Sequence, residues 1–222
     1  MSSFRGFPPD ALAFFAELEG NNERAWWQAN KPRFDEAVRA PMRALVDLLE
    51  PETGPFHIFR MNRDVRFSND KTPYKTAQGA VTETEGGSML YVQISSTGLF
   101  VGGGMYHAAT DQIARMRRSI DAEASGAAFV AAIAGVRQAG LDVGGGAEPA
   151  LTTAPRGYSR DHARIEYLRW RGCSAGKELG SPAWLHTARA ADRIRAVWAK
   201  AEPVLSWLDS NVGPSETAPR ER

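Results

Sequence analysis

The stretch from Gln78 to Met105 leaves few folds open to this chain. Met89 to Ser95 and Leu99 to Met105 alternate in character and are joined by Ser96-Thr97-Gly98, a hairpin turn sequence. Gln78 to Thr84 reads as another strand, ended by the turn Glu85-Gly86-Gly87-Ser88. Connections this tight leave no room for a crossover helix, so they predict an antiparallel or mixed sheet rather than βαβ units. Phe56 to Met61 begins with the same alternation and is expected in that sheet.

Helical periodicity brackets this middle. Phe7-Pro8-Pro9-Asp10 opens a first helix with Leu12, Phe15 and Leu18 at helical spacing, and Gly20-Asn21-Asn22 stops it, with Asn22 expected to cap the next helix at Glu23. Pro32 suits the first turn of a longer helix striped by Phe34, Val38, Met42, Leu45 and Leu49, which Pro41 should kink or split. Beyond the sheet, helices are predicted from Thr110 (Ile113, Met116 and Ile120 inward; Arg115, Arg117 and Arg118 outward), from Ser125 to Ala139, and over Asp161 to Leu168. An irregular strand follows through Trp170 to Leu179, then a last helical region from Ser181-Pro182, interrupted at Pro203. The expectation is one α+β domain over residues 1–212 and a disordered polar tail over 213–222.

With 27 basic against 26 acidic residues the net charge is +1, which provides no global field for nucleic acid or membrane; any anion recognition must be local. Arginine far outnumbers lysine among many alanines, a mark of GC-rich coding that makes arginine abundance weak evidence of function. The single cysteine, Cys173, excludes an internal disulfide and a multi-cysteine metal site. The first ten residues lack the apolar run of a signal peptide, and no stretch approaches the roughly 20 apolar residues of a membrane helix. The expectation is a soluble, cytoplasmic protein with no membrane contact and no cofactor.

The densest chemistry lies in Phe56 to Thr76, FHIFRMNRDVRFSNDKTPYKT. Arg60, Arg63, Arg66, Lys71 and Lys75 face only Asp64 and Asp70, beside Phe56, Ile58, Phe59, Val65, Phe67 and Tyr74 as anchors. Ser68-Asn69-Asp70 and Thr72-Pro73 supply turn chemistry. Guanidinium forks fit carboxylate or phosphate in a bidentate way, and the lysines add point charge. Two readings stand: an anion site lined by Arg60, Arg63, Arg66, Lys71, Tyr74 and Lys75, or an irregular loop fixed by Asp64 and Asp70. Two carboxylates cannot neutralise five cations, so some positive charge is left for solvent or ligand.

Other constellations are weaker. Gly102-Gly103-Gly104 ends a hairpin strand; Gly103 and Gly104 with Tyr106 and His107 form a candidate amide nest, but a packing bulge is the favoured reading and no P-loop follows. Asp161-His162 reads first as the start of a helix, so His162→Ala should change stability more than ligand affinity. A metal site from His107, Asp161 and His162 matches no known ligand spacing, and none is predicted. The six tryptophans recur with other apolar residues at helical spacing, which favours core roles; Trp27 and Trp170 are those to inspect for exposure. Cys173, with no histidine partner in sequence, reads as a bystander.

The run FRMNRDVRFSNDKTPYKT, NNERAWW upstream, GGGMY after the hairpin, and PRGYSRDHARIEYLR together resemble a widespread, mainly bacterial family known as domain of unknown function 2461. The resemblance covers roughly Phe4 to Leu208. It implies a single soluble α+β domain and brings no reaction with it. Function therefore rests on the residues: a small anionic ligand, phosphate- or carboxylate-bearing, bound by the Arg60 to Lys75 segment. If the protein is an enzyme, hydrolase or transferase chemistry on a phosphoester or acyl group fits best, with Asp64, Tyr74 or His162 for proton transfer. The alternatives are a non-catalytic module recognising an acidic partner, or weak nucleic-acid binding, against which the near-neutral net charge counts.

Overall fold

The computed structural model describes residues 3–64, 66 and 70–216. Among the described residues the strands are β1 (His57–Ile58), β2 (Ala77–Glu83), β3 (Met89–Ser95), β4 (Gly98–Met105), β5 (Asp142–Gly144) and β6 (Cys173–Gly180). They form one antiparallel sheet in the order β1-β2-β3-β4-β6-β5, so the fold is α+β and the expected hairpin and its β1 neighbour share a sheet. The β3–β4 turn is only Ser96-Thr97; Gly98 already belongs to the strand, at a φ of 112° that favours glycine. The short β5 is an element that sequence reading did not predict.

The chain packs as two compact units. The first comprises Met1–Thr82, Tyr91–Val101 and Glu178–Ala196; the second comprises Glu83–Leu90, Gly102–Lys177 and Val197–Arg222.

In the first unit, helix α1 (Pro9–Gly20) starts with Pro9, whose missing N–H would have no intrahelical partner there, and buries Ala11, Phe14, Phe15 and Leu18 along one stripe. Helix α2 (Arg24–Phe34) runs through a π turn (Asp35–Arg39) into α3 (Ala40–Thr53). Pro32 sits inside α2 rather than opening a new helix. Pro41 neither ends nor splits the helix: the π turn just before it lets the Ala40 N–H reach back to Asp35 O, absorbing the proline. Phe14, Trp27, Phe34 and Tyr74 form an aromatic core, with Trp27 and Tyr74 stacked 4.3 Å apart at 16°. The 3-10 turn Ala183–His186 and the start of α7 (Arg189–Asn211) complete this unit.

The second unit holds α4 (Thr110–Asp121), α5 (Glu123–Gln138), α6 (Ile165–Leu168) and the rest of α7. Phe129 packs on Trp207 at 4.4 Å and Tyr167 at 5.4 Å. Helix α7 continues through Pro203 without the expected interruption, because Ala201, Val204, Leu205 and Leu208 are all buried around it and outweigh one lost backbone bond. The helix predicted over Asp161 to Leu168 shrinks to one turn, since the His162 side chain takes the Arg164 N–H and holds the preceding residues in turns. Arg115 and Arg117 do not point outward: Arg115 donates to Val212 O and Pro214 O, and Arg117 to Leu168 O. The expected tail begins at Gly213, yet Gln112 donates to Gly213 O at 3.0 Å and Asp111 accepts from the Glu216 N–H at 2.8 Å, so residues 213–216 are held. Residues 217–222 lie outside the described residues, as do the proposed anchors Val65 and Phe67 and the Ser68-Asn69 turn. No single described helix is long and apolar enough to cross a membrane.

Candidate functional site

The basic segment is the far end of an irregular hairpin between β1 and β2 in the first unit. His57 pairs with Val81 and Ile58 with Ala80; the Phe59 N–H then donates to Gly79 O at 3.0 Å. Further out, Asn62 bridges Tyr74, Lys75 N–H donates to Met61 O at 2.8 Å, and Arg63 N–H to Pro73 O at 2.9 Å. Between these two runs, one residue (Arg60) intervenes on the outgoing leg and three (Thr76, Ala77 and Gln78) on the returning one. This bulge ends β1 at Ile58, so the expected strand to Met61 is cut short. Gln78 repairs the gap: its buried amide donates to Phe59 O at 2.8 Å and to Gly79 O at 3.1 Å.

A second clamp comes from Asn22. Its side-chain amide donates to Tyr74 O at 2.9 Å and accepts the Tyr74 N–H at 3.1 Å, as a neighbouring strand would. It does not cap α2, whose start at Glu23 carries no side-chain cap. Tyr74, 6% exposed and stacked on Trp27, is a rivet holding the segment to the aromatic core.

The charges sort themselves on this frame. Arg63 pairs with Asp70, whose other oxygen accepts from Thr72 N–H at 2.9 Å and Thr72 Oγ1 at 2.7 Å. Arg66 sets its fork on Asp64, at 3.0 Å from Nε to Oδ1 and 2.7 Å from Nη2 to Oδ2, and adds its backbone N–H. These bonds, with the charges of Arg66 and Arg60, push the Asp64 carboxyl down to about 2. The network expected of the two carboxylates is therefore present. Among the described residues it leaves Arg60 and Lys75 with no carboxylate partner. Arg60 is exposed, as is Lys71. Lys75 is half-buried, its ammonium 5.0 Å over the Phe59 ring, and its pKa is lowered by burial and then by the charges of Arg60 and Arg63.

The remaining candidates lie in the second unit. Gly102 accepts a 3.0 Å hydrogen bond from the buried Trp198 indole. A Cβ on Gly103 would stand 2.8 Å from Met89 O, and one on Gly104, at φ 133°, would run into Cys173 O. The glycine run thus lets neighbouring backbone approach. Tyr106 is exposed and His107 meets its ring edge-on at 4.9 Å. His162 accepts from Arg164 N–H through Nδ1 at 3.0 Å, which leaves Nε2–H to donate to Asp121 at 3.2 Å. Cys173 is fully buried, and burial pushes its thiol up to about 12. A hollow of about 410 Å³ opens beside α7, lined by Thr84, Leu90, Trp198, Leu205 and Asp209; none of the predicted site residues lines it. Among the described residues no three His, Cys, Asp or Glu side chains converge as a metal site would require.

Sequence reading placed the cations but missed Asn22 and Gln78, which hold them. The signal for Asn22 was its place in NNERAWW, where a cap is the commoner local role. Trp27 is buried and Trp170 half-buried, in keeping with packing roles. No curated protein and no solved structure matches the chain. A family described as conserved hypothetical protein (DUF2461) matches residues 10–207, nearly the whole chain and both of its units; the protein belongs to that family.

Proposed function

We propose that the β1–β2 hairpin binds a small anionic ligand, phosphate- or carboxylate-bearing, between Arg60, Arg63 and Lys75, with Arg66 and Lys71 at its rim. The observation that carries this reading is Lys75: a half-buried ammonium beside two guanidiniums, with no carboxylate on it among the described residues. Holding like charges together away from water costs free energy that a bound anion would recover. Arg66 stands at the rim because Asp64 already fills its fork, whereas Arg63 meets Asp70 through Nη1. The reading is of binding rather than proton transfer. Asp64, at about 2, is a weak base, Tyr74 is buried against Trp27, and both nitrogens of His162 are engaged.

Isothermal titration of the full chain with inorganic pyrophosphate and with citrate tests it. Arg60→Ala, Arg63→Ala and Lys75→Ala are each expected to weaken binding by about 10- to 150-fold at little change in melting temperature. Parent-like binding by all three variants would sink the site. The exposure of Arg66, whose side chain is 70% accessible, favours a second reading in which the same tip docks an acidic protein segment. That contact would fade steeply with salt and would show no affinity for either small anion.

A further inference from the structure

The hairpin's cations border a row of aromatic side chains on β3, on β4 and just past the end of β1. In β3, Leu90, Val92 and Ile94 are buried while Tyr91 and Gln93 between them are half-buried; in β4, Phe100 stands likewise between buried Leu99 and Val101. These side chains therefore occupy the sheet face opposite the core. Phe59 joins them: its ring centroid lies 6.3 Å from that of Tyr91, which lies 6.1 Å from Phe100. Gly79 makes the row continuous. A Cβ there would stand 2.9 Å from Cε2 and Cζ of Tyr91, so that ring lies across the bare backbone of β2 toward Phe59. Lys75 sits over the Phe59 end of the row, with Arg60 and Arg63 acting on it. Beside the rings, Gln93 Oε1 accepts the Tyr91 hydroxyl at 2.7 Å, which turns the Gln93 NH₂ into the donor available to a ligand.

We propose that the ligand is a free nucleotide: its phosphate on Lys75, Arg60 and Arg63, its base lying on the Phe59–Tyr91–Phe100 surface, and Gln93 donating to an acceptor on the base edge. The proposal rests on the anion-site reading and adds the base. Half-buried rings on a sheet face form a stacking platform that accepts any base, because every base has a π-face. A free nucleotide is favoured over a strand by the charge distribution. The cations gather at one end of the row, and a net charge of +1 provides no field along a polyanion.

The test is isothermal titration of the full chain with adenosine monophosphate, ribose 5-phosphate and oligothymidylate. Adenosine monophosphate is expected to bind at least about 10-fold tighter than ribose 5-phosphate. Tyr91→Leu should erase that advantage and leave ribose 5-phosphate unchanged; should this variant melt early, Phe100→Leu takes its place. Equal affinity for the two in the parent protein would overturn the base platform and leave the anion site standing. Binding of adenosine monophosphate that survives Lys75→Ala and Arg63→Ala would overturn the anion site and keep the platform. No binding of either would remove both. Oligothymidylate binding more than about 10-fold tighter than the mononucleotide would overturn the free nucleotide in favour of a strand.

Discussion

Residues 60–75 and 155–171 carry the same formal charges: five arginines or lysines against two acids. Their fates differ. In the second stretch two of the five cations, Arg164 and Arg171, meet acceptors from elsewhere in their own unit. Arg164 donates to Ile120 O, Asp121 O and Glu123; His162 faces Asp121; Arg171 reaches Glu148. Arg117, from α4, donates to Leu168 O and ties the stretch down from the other side. Arg156 and Arg160 are exposed and solvated, and Arg169 keeps a buried Nε with no acceptor among the described residues. In the hairpin the acids are internal, Asp64 and Asp70, and each is used by one arginine. What remains is a half-buried lysine beside two guanidiniums. A surplus of cations in sequence is thus not by itself a ligand site. The proposed site rests instead on a half-buried ammonium beside like charges that has no carboxylate on it among the described residues.

The comparison is open to breakage at several points. The largest expected effect is Arg164→Ala, which removes donors to two backbone carbonyls and a glutamate from a guanidinium only 13% exposed. It should cost about 2–4 kcal/mol of stability by denaturant titration and leave pyrophosphate binding untouched. A loss of binding at unchanged stability would reverse the roles assigned to the two stretches. Asn22→Ala comes next: with both Tyr74 backbone groups released, stability should fall by about 1–3 kcal/mol, and anion binding should weaken with it because the hairpin end is no longer held. Stability that stays at the parent level would show that stacking on Trp27 holds the segment alone. His162→Ala should cost about 1 kcal/mol and change no ligand affinity, since its bonds go to Arg164 N–H and Asp121.

The smallest effect is a slope. The folded-state pKa of Lys75 lies below its ordinary 10.5, so the unfolded chain binds more protons in the window between the two values. Stability must therefore rise with pH across that window, and the rise should vanish in Lys75→Met. Saturating pyrophosphate should reverse the sign of the Lys75 contribution by holding the ammonium charged. A melting temperature in Lys75→Met that follows the parent at every pH, with and without pyrophosphate, would remove Lys75 from the site.

By itself the sequence determined the fold class and picked out a segment in which cations outnumber acids. Alternation over Met89 to Met105 and the tight turns predicted an antiparallel or mixed sheet, because side-chain period and connection length are local properties. The apolar stripes of α1, α3 and α5 were legible for the same reason. The prolines were not. Pro41 and Pro203 each threaten a helix locally, but whether the helix survives depends on how much apolar surface is buried on either side, a sum taken over distant contacts. Nor could sequence say which arginines keep their charge for a ligand. Arg66 looked equivalent to Arg60 until Asp64 was seen to fill its fork, and nothing local linked Asn22 to Tyr74 across 52 residues. Residue types and spacing set which charges are available. Only the tertiary structure, by bringing each donor to an acceptor or withholding one, decided where positive charge is left unmet.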